Sequence, residues 1–350
     1  MSRAACIAAA LIIMGIASAF GDASSDWSDI EASDKNPPAD HWTSRDEAQA
    51  GTLAYLAKQE TLIRAFIAGY PSDPHTPDAK LRLAHLLATR ADLQQDDAGR
   101  READSILDDL DADPAMRDRR ADVAFARISI FMQRVDAITG ANRDSLLHQA
   151  RTFATAFPDD RRVAPLLAEV ASAFDDDPAT ARALLESAQP HARTDALKAR
   201  IADDLKRLDM LGKPVDMKWT SVQGQQIDLK KLRGKVVLVY FFASWSPPAM
   251  AELDWVKQLA SAAPPSGDIQ PLGICLDKDP YAVPAMLGDQ GINWPVFCDG
   301  RGWQGALVRS LGINALPELW IIDRQGILRS LDAKQDAETL IQNAARDSGP

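Results

Sequence analysis

The period of hydrophobic and polar positions changes along the chain. From about Arg45 to Leu211, apolar residues recur every three or four positions, as on one face of an amphipathic helix. Beyond Gly212, short unbroken apolar runs replace this period, and Lys235–Ala243 has the β-branched and aromatic composition of a strand buried on both faces. The pattern predicts an all-α domain over 45–211, followed by an α/β domain over 212–350.

The second part alternates strand-like and helix-like segments. Two more strands are predicted at Ile269–Asp277 and Pro317–Asp323, with a hairpin turn at RQG (324–326). Helices are predicted at 247–263, 281–290, 305–311 and 337–345. Strands that alternate with helices and end in a hairpin and a last helix indicate an α/β three-layer sandwich.

The helical part contains a recurring phrase. FIAGYPSD (66–73) and FATAFPDD (153–160) share a Phe, an aromatic residue, a Pro and an acidic tail, and SILDDLDADP (105–114) is a candidate third copy. A helical hairpin of this kind must stack on neighbours to bury its apolar face. The phrase loosely resembles tetratricopeptide-type helical repeats, without their Trp/Leu/Gly/Tyr signature. Two interpretations of this repeat-like domain remain open: a concave surface that binds a partner, or a bundle that only supports its neighbour.

The N-terminal residues predict export. Arg3 precedes the apolar run Ala4–Ile16, and the small residues Ala17–Ala19 form a cleavage site, so we predict a signal peptide over 1–19. The apolar run is short for a membrane span, which needs about 20 residues, and an uncleaved anchor is the alternative. The expected location is the periplasm or cell envelope. Residues 20–44 are rich in Asp, Ser and Pro, which predicts a disordered linker.

The charge distribution argues against one class of partner. The chain has 39 basic and 50 acidic residues, of which 14 and 15 follow Leu211, so nearly the whole net charge of −11 lies before Gly212. Nucleic-acid binding needs clustered Lys and Arg, so no nucleic-acid partner is expected.

The stretch FFASWSPPAM (241–250) predicts a strand that opens into a helix through a tight corner. Further segments mark the rest of the domain: Gly-Lys-Pro at 212–214, LKKLRGK at 229–235, AMAEL at 249–253 and GINALPELWIIDRQG at 312–326. From Gly212 to about Asp347, the chain resembles the TlpA/ResA branch of exported thioredoxin-like proteins, which overlaps the redoxin and AhpC/TSA group. The resemblance implies a thioredoxin-like fold, thiol–disulfide oxidoreductase activity and a cis-proline at Pro317.

One departure from the family removes its chemistry. Where the family has Trp-Cys-x-Pro-Cys, this chain has Trp245-Ser246-Pro247-Pro248-Ala249. Dithiol exchange needs a thiolate at the helix N-terminus and a second thiol that resolves the mixed disulfide. The Ser246 hydroxyl is too weak an acid to ionise there, and Ala249 has no group with which to resolve. We therefore expect no catalytic residue at the corner, and we expect Ser246 to cap the helix.

Histidine is absent from the second part of the chain, since all five histidines precede Gly212. A Ser–His pair at Ser246 and a transition-metal site in this domain are therefore not expected. No cofactor and no metal is predicted.

The resemblance also implies a peptide-binding groove, because the loop before the cis-proline of working family members pairs with an extended segment of the target protein. The residues of this vestigial groove are Trp245, Pro247, Pro248, Glu252, Ala315, Leu316 and Pro317. Trp294 and Trp303 have two open interpretations, a wider rim of the same groove or filling of the core.

Cys275 and Cys298 are the cysteines that lie outside the predicted signal peptide. Cys275 ends a predicted strand and Cys298 lies in the extended segment WPVFCDG (294–300), so both are expected near the corner end of the sheet. Inert core thiols, a structural disulfide and a redox-active pair are all left open.

These observations favour a redox-inactive binding or scaffold protein of the cell envelope. Its helical domain and vestigial groove are expected to hold another envelope protein or a peptide segment. The alternative is a thiol–disulfide oxidoreductase that uses Cys275 and Cys298, and a purely structural domain is the third hypothesis. A membrane is an expected partner only if the N-terminal segment is not cleaved.

Overall fold

The computed structural model describes residues 22–35, 42, 44–134, 140–174, 176–261, 269–333 and 337–346. The predicted signal peptide at 1–19 lies outside these residues. The chain groups into two compact units, residues 1–157 and 158–350. No helix in the described ranges is both long and apolar enough to cross a bilayer.

The first unit is helical, as predicted. Its helices are α1 (Ala23–Asp34), α2 (Arg45–Gly69), α3 (Thr76–Gln94), α4 (Asp97–Ala112), α5 (Arg120–Met132) and α6 (Gly140–Ala156). Their boundaries follow the expected breaks, since α2 stops before Pro71 and α4 before Pro114. Phe66, Leu83 and Leu107 carry the apolar faces of α2, α3 and α4 into one core.

Helix α1 lies inside the segment 20–44, so the prediction of a disordered linker does not hold there. Trp27 and Ile30, almost one helical turn apart, are buried in the core that α2 and α3 share. The Trp27 ring stacks on His75 with 4.8 Å between centroids, and the Arg82 guanidinium lies 5.0 Å from the same ring. Two buried apolar side chains, together with hydrogen bonds from Tyr55, Tyr70 and Arg82, therefore anchor a helix whose composition is otherwise polar.

The two clear copies of the recurring phrase have the same local geometry. The ring centroids of Phe66 and Tyr70 lie 5.2 Å apart, and those of Phe153 and Phe157 lie 5.3 Å apart. In both copies, the aspartate two residues after the proline accepts a main-chain N–H at 2.8 Å. This turn closes one helix and starts the next in the same way at both places.

The second unit contains three helices and the α/β domain. Helices α7 (Val163–Ala171), α8 (Pro178–Ala188) and α9 (Asp195–Met210) precede the hairpin of β1 (Lys218–Thr220) and β2 (Gln226–Asp228). The remaining elements are β3 (Val236–Phe242), α10 (Pro247–Ser261), β4 (Ile269–Cys275), α11 (Val283–Asp289), β5 (Val296–Phe297), α12 (Ala306–Leu311), β6 (Glu318–Ile322), β7 (Leu328–Ser330) and α13 (Ala337–Arg346). The strands and helices predicted after Gly212 are present, with ends shifted by a few residues.

Five strands form a mixed sheet in the order β5-β4-β3-β6-β7. Strand β3 runs parallel to β4 and antiparallel to β6, and β4 runs parallel to β5. All seven residues of β3 are buried, because alternate side chains enter two cores on opposite faces of the sheet. Helices α10 and α13 complete one core, and α9 and α12 border the other. The predicted three-layer α/β sandwich is confirmed.

The second unit begins before the predicted domain start at Gly212. Helices α7–α9 group with the α/β domain. Leu208, Met210 and Leu211 pack against the core that β3 shares with α12. Gly212 follows the helix with a φ of 72°, so the chain turns there while α9 stays packed on the domain that follows.

Candidate functional site

The end of β3 and the start of α10 form the corner that the sequence singled out. The carbonyl of Ser246 accepts the N–H of Met250 at 3.0 Å, which closes the first turn of α10 and places Ser246 at the expected cap position. Ser246 is 6% exposed and Ala249 is fully buried. Neither position presents a reactive group to solvent.

Exposed aromatic and proline side chains surround the corner. Trp245 is 53% exposed, and Pro247 and Pro248 after it are exposed as well. Trp303 is 37% exposed, with its ring centroid 6.2 Å from that of Trp245. Trp294, in contrast, is buried in the core on the α10 face. Core filling therefore applies to Trp294, whereas Trp303 lies beside Trp245 at the surface.

A buried tyrosine joins the corner to the sheet. The Tyr240 hydroxyl donates to the carbonyl of Ala249 at 2.6 Å, which connects β3 with the first turn of α10. Burial, followed by the charges of Glu252 and Asp332, raises the pKa of Tyr240, so the hydroxyl stays a hydrogen-bond donor. The predicted groove residue Glu252 is half-buried.

The loop before β6 has the predicted cis-proline, since the Leu316–Pro317 peptide bond is cis. Ala315 is exposed, Leu316 is half-buried and Pro317 is buried. Within the described residues, no hydrogen bond reaches the main-chain groups of Ala315 or Leu316. Strand β6 pairs with β3 so that Glu318 lies opposite Phe241, which places this loop at the corner end of the sheet.

Helix α9 holds both ends of the cis-proline loop. The Asn314 side chain donates to the Asp204 carboxylate at 2.9 Å. At the start of β6, the buried Glu318 carboxylate accepts from Arg207 and, at 3.1 Å, from the Trp320 indole. Sequence reasoning missed these contacts. The signal for them was Glu318 itself, because a charge at the start of an otherwise apolar strand requires a buried partner.

Asp277 connects the corner with the neighbouring strand ends. Its carboxylate accepts the N–H of Ser244 at 2.9 Å, and the residue is 8% exposed. Its carbonyl accepts the thiol of Cys298 at 3.4 Å. Asp277, in the loop after β4, therefore contacts both the corner after β3 and the segment after β5. Sequence reasoning did not single out Asp277, although an acid directly after a buried strand marks this end of the sheet.

Cys275 and Cys298 lie side by side at the same end. Ile274 of β4 pairs with Phe297 of β5, so the parallel register places Cys275 opposite Cys298. Neighbouring strands are about 4.8 Å apart, within the Cα separations of about 4.4–6.8 Å that disulfides span. Both are free thiols, Cys275 buried and Cys298 half-buried. Both side chains border the core on the α10 face.

Hydrogen bonds shift the acidities of the two thiols in opposite directions. The Cys275 thiol donates to the Cys298 sulfur, and this bond, together with one from the N–H of Gly300, lowers the pKa of Cys298. Burial and the charges of Asp277 and Asp299 oppose that effect. The same bond to Cys298, and then burial, raises the pKa of Cys275. Cys298 is therefore the thiol that ionises first.

The described residues contain no group of three or more side chains able to ligate a metal ion. An open cavity of about 380 Å³ lies at the starts of β4 and β5, away from the corner, where it is lined by Gln225, Gln270, Asn293 and Trp294.

Comparison with known proteins places the α/β domain. Residues 212–347 match the family model described as Redoxin. The chain is 26% identical over 122 residues to the thiol-disulfide oxidoreductase ResA of Bacillus thuringiensis (strain Al Hakam), covering 35% of this chain and 68% of the relative. It is 31% identical over 124 residues to the thiol:disulfide interchange protein DsbE of Yersinia pestis, covering 34% of this chain and 62% of the relative.

A solved structure is similar over the same share of the chain. The thiol:disulfide interchange protein of the thioredoxin family from Chlorobium tepidum TLS is 23% identical, with a TM-score of 0.33, over 38% of this chain and 94% of that one.

Proposed function

We propose that the domain over residues 212–347, which matches the Redoxin family model and is similar to ResA and DsbE, binds an extended segment of another protein and performs no dithiol exchange at its corner. The observation that carries this proposal is that no hydrogen bond within the described part of the chain reaches the main chain of Ala315 or Leu316. An extended peptide pairs with such groups by strand addition.

The surroundings of this main chain suit a peptide with apolar side chains. Trp245 and Trp303 expose their rings, and Pro247 and Pro248 extend the apolar surface at the same end of the sheet. We call Trp245 and Trp303 the aromatic pair. Aromatic side chains are the usual anchors of peptide binding, because they bury a large apolar area with few rotatable bonds.

The loop that offers its main chain is held in place before any partner arrives. Contacts of Asn314 with Asp204 and of Glu318 with Arg207 hold its two ends on α9. A preorganised site loses little conformational entropy on binding, which favours affinity. In this proposal, the corner binds a peptide without the thiols of the family motif.

The proposed setting is the cell envelope, with the partner another exported protein. The predicted signal peptide at 1–19 supports this location. The helical unit is proposed to contribute a second surface for the same partner, as stacked helical hairpins can do.

The corner proposal is tested with an unfolded polypeptide that has no thiols, namely reduced and carboxymethylated α-lactalbumin. Fluorescence anisotropy of the labelled polypeptide measures its affinity for the full chain. Loss of a central aromatic anchor weakens binding by about tenfold or more, and we expect that for Trp245→Ala. The matched control is Tyr281→Ala, an exposed aromatic side chain of the same unit that the proposal does not place in the binding surface. Equal affinities of the two variants would refute the proposal.

The contribution of the helical unit is tested by removing residues 22–157. This deletion leaves α7–α9 with the unit to which they belong. Far-ultraviolet circular dichroism checks that the remainder is folded. Recovery of the physiological partner at an undiminished level would exclude a binding role for the first unit.

A second candidate function is thiol–disulfide exchange by Cys275 and Cys298. The observation that favours it is the register of β4 and β5, which places the two free thiols opposite each other. This function predicts catalytic turnover of a disulfide-bonded peptide in the presence of a dithiol reductant. Turnover must be lost in Cys298→Ser and retained in Ser246→Ala, because the corner takes no part in it.

A further inference from the structure

We propose that Cys275 and Cys298 form a reversible disulfide that regulates peptide binding at the aromatic pair. The inference rests on the proposed function, because binding at the corner is the event that is regulated. A switch of this kind needs one reaction for each change of state and no catalytic turnover.

The reaction that we propose needs a disulfide of low molecular weight, or a protein disulfide, as the oxidant. The Cys298 thiolate attacks one sulfur of that disulfide and expels the other as a thiolate. Cys275, deprotonated in this step, then attacks the Cys298 sulfur and expels the second thiolate. One S–S bond forms in the protein and one breaks in the oxidant, whose two sulfurs leave as thiols with the two protons.

Exposure and acidity divide these roles between the two cysteines. Cys298 is half-buried and can meet an oxidant, whereas Cys275 is buried behind it. The hydrogen bonds from Cys275 and Gly300 that lower the pKa of Cys298 favour its thiolate. Cys298 is therefore the attacking thiol and Cys275 the resolving one.

Bond formation changes the contacts of the segment after β5. A disulfide holds its sulfurs about 2.05 Å apart, closer than two hydrogen-bonded thiols can lie. Cys298 also loses its thiol hydrogen, and with it the hydrogen bond that it donates to the Asp277 carbonyl at 3.4 Å. Both changes act on the contact between Cys298 and Asp277.

One route from this contact leads to Trp245. Asp277 accepts the N–H of Ser244 at 2.9 Å, so a displacement of Asp277 acts directly on the residue before Trp245.

The other route leads along the chain to Trp303, five residues after Cys298. Two glycines on this path are closely packed against the loop after β4. A Cβ at Gly300 would lie 2.9 Å from Pro280, and one at Gly302 would lie 3.2 Å from the carbonyl of Leu276. Because the segment after β5 is packed this closely on the loop after β4, we expect a shift at Cys298 to displace the indole of Trp303.

Both members of the aromatic pair are therefore connected to the thiols by short paths of contacts. The rings lie 6.2 Å apart in the thiol form. We expect the disulfide to separate them and to weaken peptide binding by about fivefold or more, the lower end of typical coupling between two sites.

The experiment uses the full chain with Cys6→Ser, labelled with 6-fluorotryptophan and equilibrated in glutathione buffers of increasing oxidised fraction. Maleimide blocking and mass spectrometry count the free thiols in each sample. Fluorine NMR follows the aromatic pair, with resonances assigned through Trp245→Phe and Trp303→Phe and with Trp27 of the other unit as reference. Anisotropy measures the affinity for reduced, carboxymethylated α-lactalbumin in the same samples.

The expected result is loss of both thiols together, a shift of the Trp245 and Trp303 resonances, and weaker binding with the same midpoint. The further variant Cys298→Ser must show none of these changes. Two outcomes would overturn the inference: no disulfide at any buffer composition, or a disulfide that leaves resonances and affinity unchanged.

Failure of the proposed function has a different signature. If the unfolded polypeptide binds neither form, the binding proposal fails. Regulation of binding then fails with it, while the fluorine resonances alone report whether the thiols act on the aromatic pair.

Discussion

The corner after β3 and the strand ends of β4 and β5 lie side by side in one sheet, yet each has what the other lacks. The corner has a helix N-terminus and a cis-proline loop beside it, but it has Ser246 and Ala249 where the family resemblance predicts thiols. The strand ends have two thiols in contact, Cys275 and Cys298, but neither starts a helix. The helix N-terminus with its cis-proline loop and the pair of thiols therefore lie at different places in this sheet.

The difference also shows how each site would stabilise a thiolate. At the corner, the helix N-terminus would favour negative charge. At Cys298, the donors are the Cys275 thiol and the N–H of Gly300, and the charges of Asp277 and Asp299 oppose them. The strand ends therefore favour a thiolate through hydrogen bonds from neighbouring groups and not through a helix N-terminus.

The largest expected effect comes from returning thiols to the corner. Ser246→Cys with Ala249→Cys, in a chain that carries Cys6→Ser, Cys275→Ser and Cys298→Ser, should create a reducible disulfide. Cysteines at helix N-termini have pKa values of about 3.5–7.5, so Cys at 246 should react at neutral pH. Reductant-dependent maleimide labelling measures the pair.

The matched control for this variant is Ser246→Cys alone, which has a nucleophile but no resolving thiol. It should label with maleimide before any reductant is added. If the two-cysteine protein also stays fully reduced in oxidising buffer, the corner does not have the geometry that its framework indicates.

Sequence reasoning reached the sheet and the corner for identifiable reasons. The run that became β3 is apolar at every position because both faces of the strand are covered, and no helix period competes with it. The cis-proline followed from the family resemblance around Pro317. The approach of Cys275 and Cys298 was expected, but their contact depends on the register of β5, a strand of two residues.

The features that sequence reasoning missed leave little mark in a single sequence. Arg207 and Glu318 are 111 residues apart, and nothing periodic connects them. Helix α1 was hidden because Trp27 and Ile30 stand in a polar segment. The boundary was predicted at the Gly-Lys-Pro break (212–214), but α9, which precedes this break, packs on the domain that follows it.

The second prediction tests whether α9 is part of the framework of the corner. Arg207→Ala removes the cation from Glu318, whose side chain is 5% exposed. Removal of one partner of a buried ion pair leaves the other charge unpaired and lowers the free energy of unfolding by about 3–5 kcal/mol. Urea denaturation of the full chain measures the loss. Adding Glu318→Gln should recover part of it, because the buried charge is then gone.

An exposed ion pair of the same unit provides the control. Arg182 and Asp209 lie 2.7 Å apart with side chains 35% and 60% exposed, and such pairs contribute about 1 kcal/mol or less. If Arg182→Ala destabilises the protein as much as Arg207→Ala, the prediction that the Arg207–Glu318 contact stabilises the protein more than an exposed ion pair is wrong.

A smaller effect is expected at the strand ends. Cys275→Ala removes the donor that lowers the pKa of Cys298, so that pKa should rise. Since the thiolate is the reactive form, alkylation by iodoacetamide at neutral pH should slow by about tenfold for each unit of the rise. The rate against pH, in the Cys6→Ser background, should show its midpoint at higher pH. The midpoint for Cys275→Ser, which keeps a hydroxyl donor, should lie between those of the parent and Cys275→Ala. An unchanged midpoint in Cys275→Ala would contradict the hydrogen bond from Cys275 to Cys298.

The smallest effect is expected where the corner is joined to the sheet. Tyr240→Phe removes the hydroxyl that donates to the Ala249 carbonyl at 2.6 Å. The carbonyl also lies in the first turn of α10, where the helix provides a donor, so the loss should be about 1 kcal/mol, as for a typical single hydrogen bond. Urea denaturation measures it, with Tyr281→Phe as the control, because that side chain is 92% exposed. Burial raises the pKa of Tyr240, so the difference should persist through mildly alkaline pH, where an ordinary tyrosine begins to ionise. If Tyr240→Phe is as stable as the parent, the hydroxyl is not part of the framework that the corner has kept.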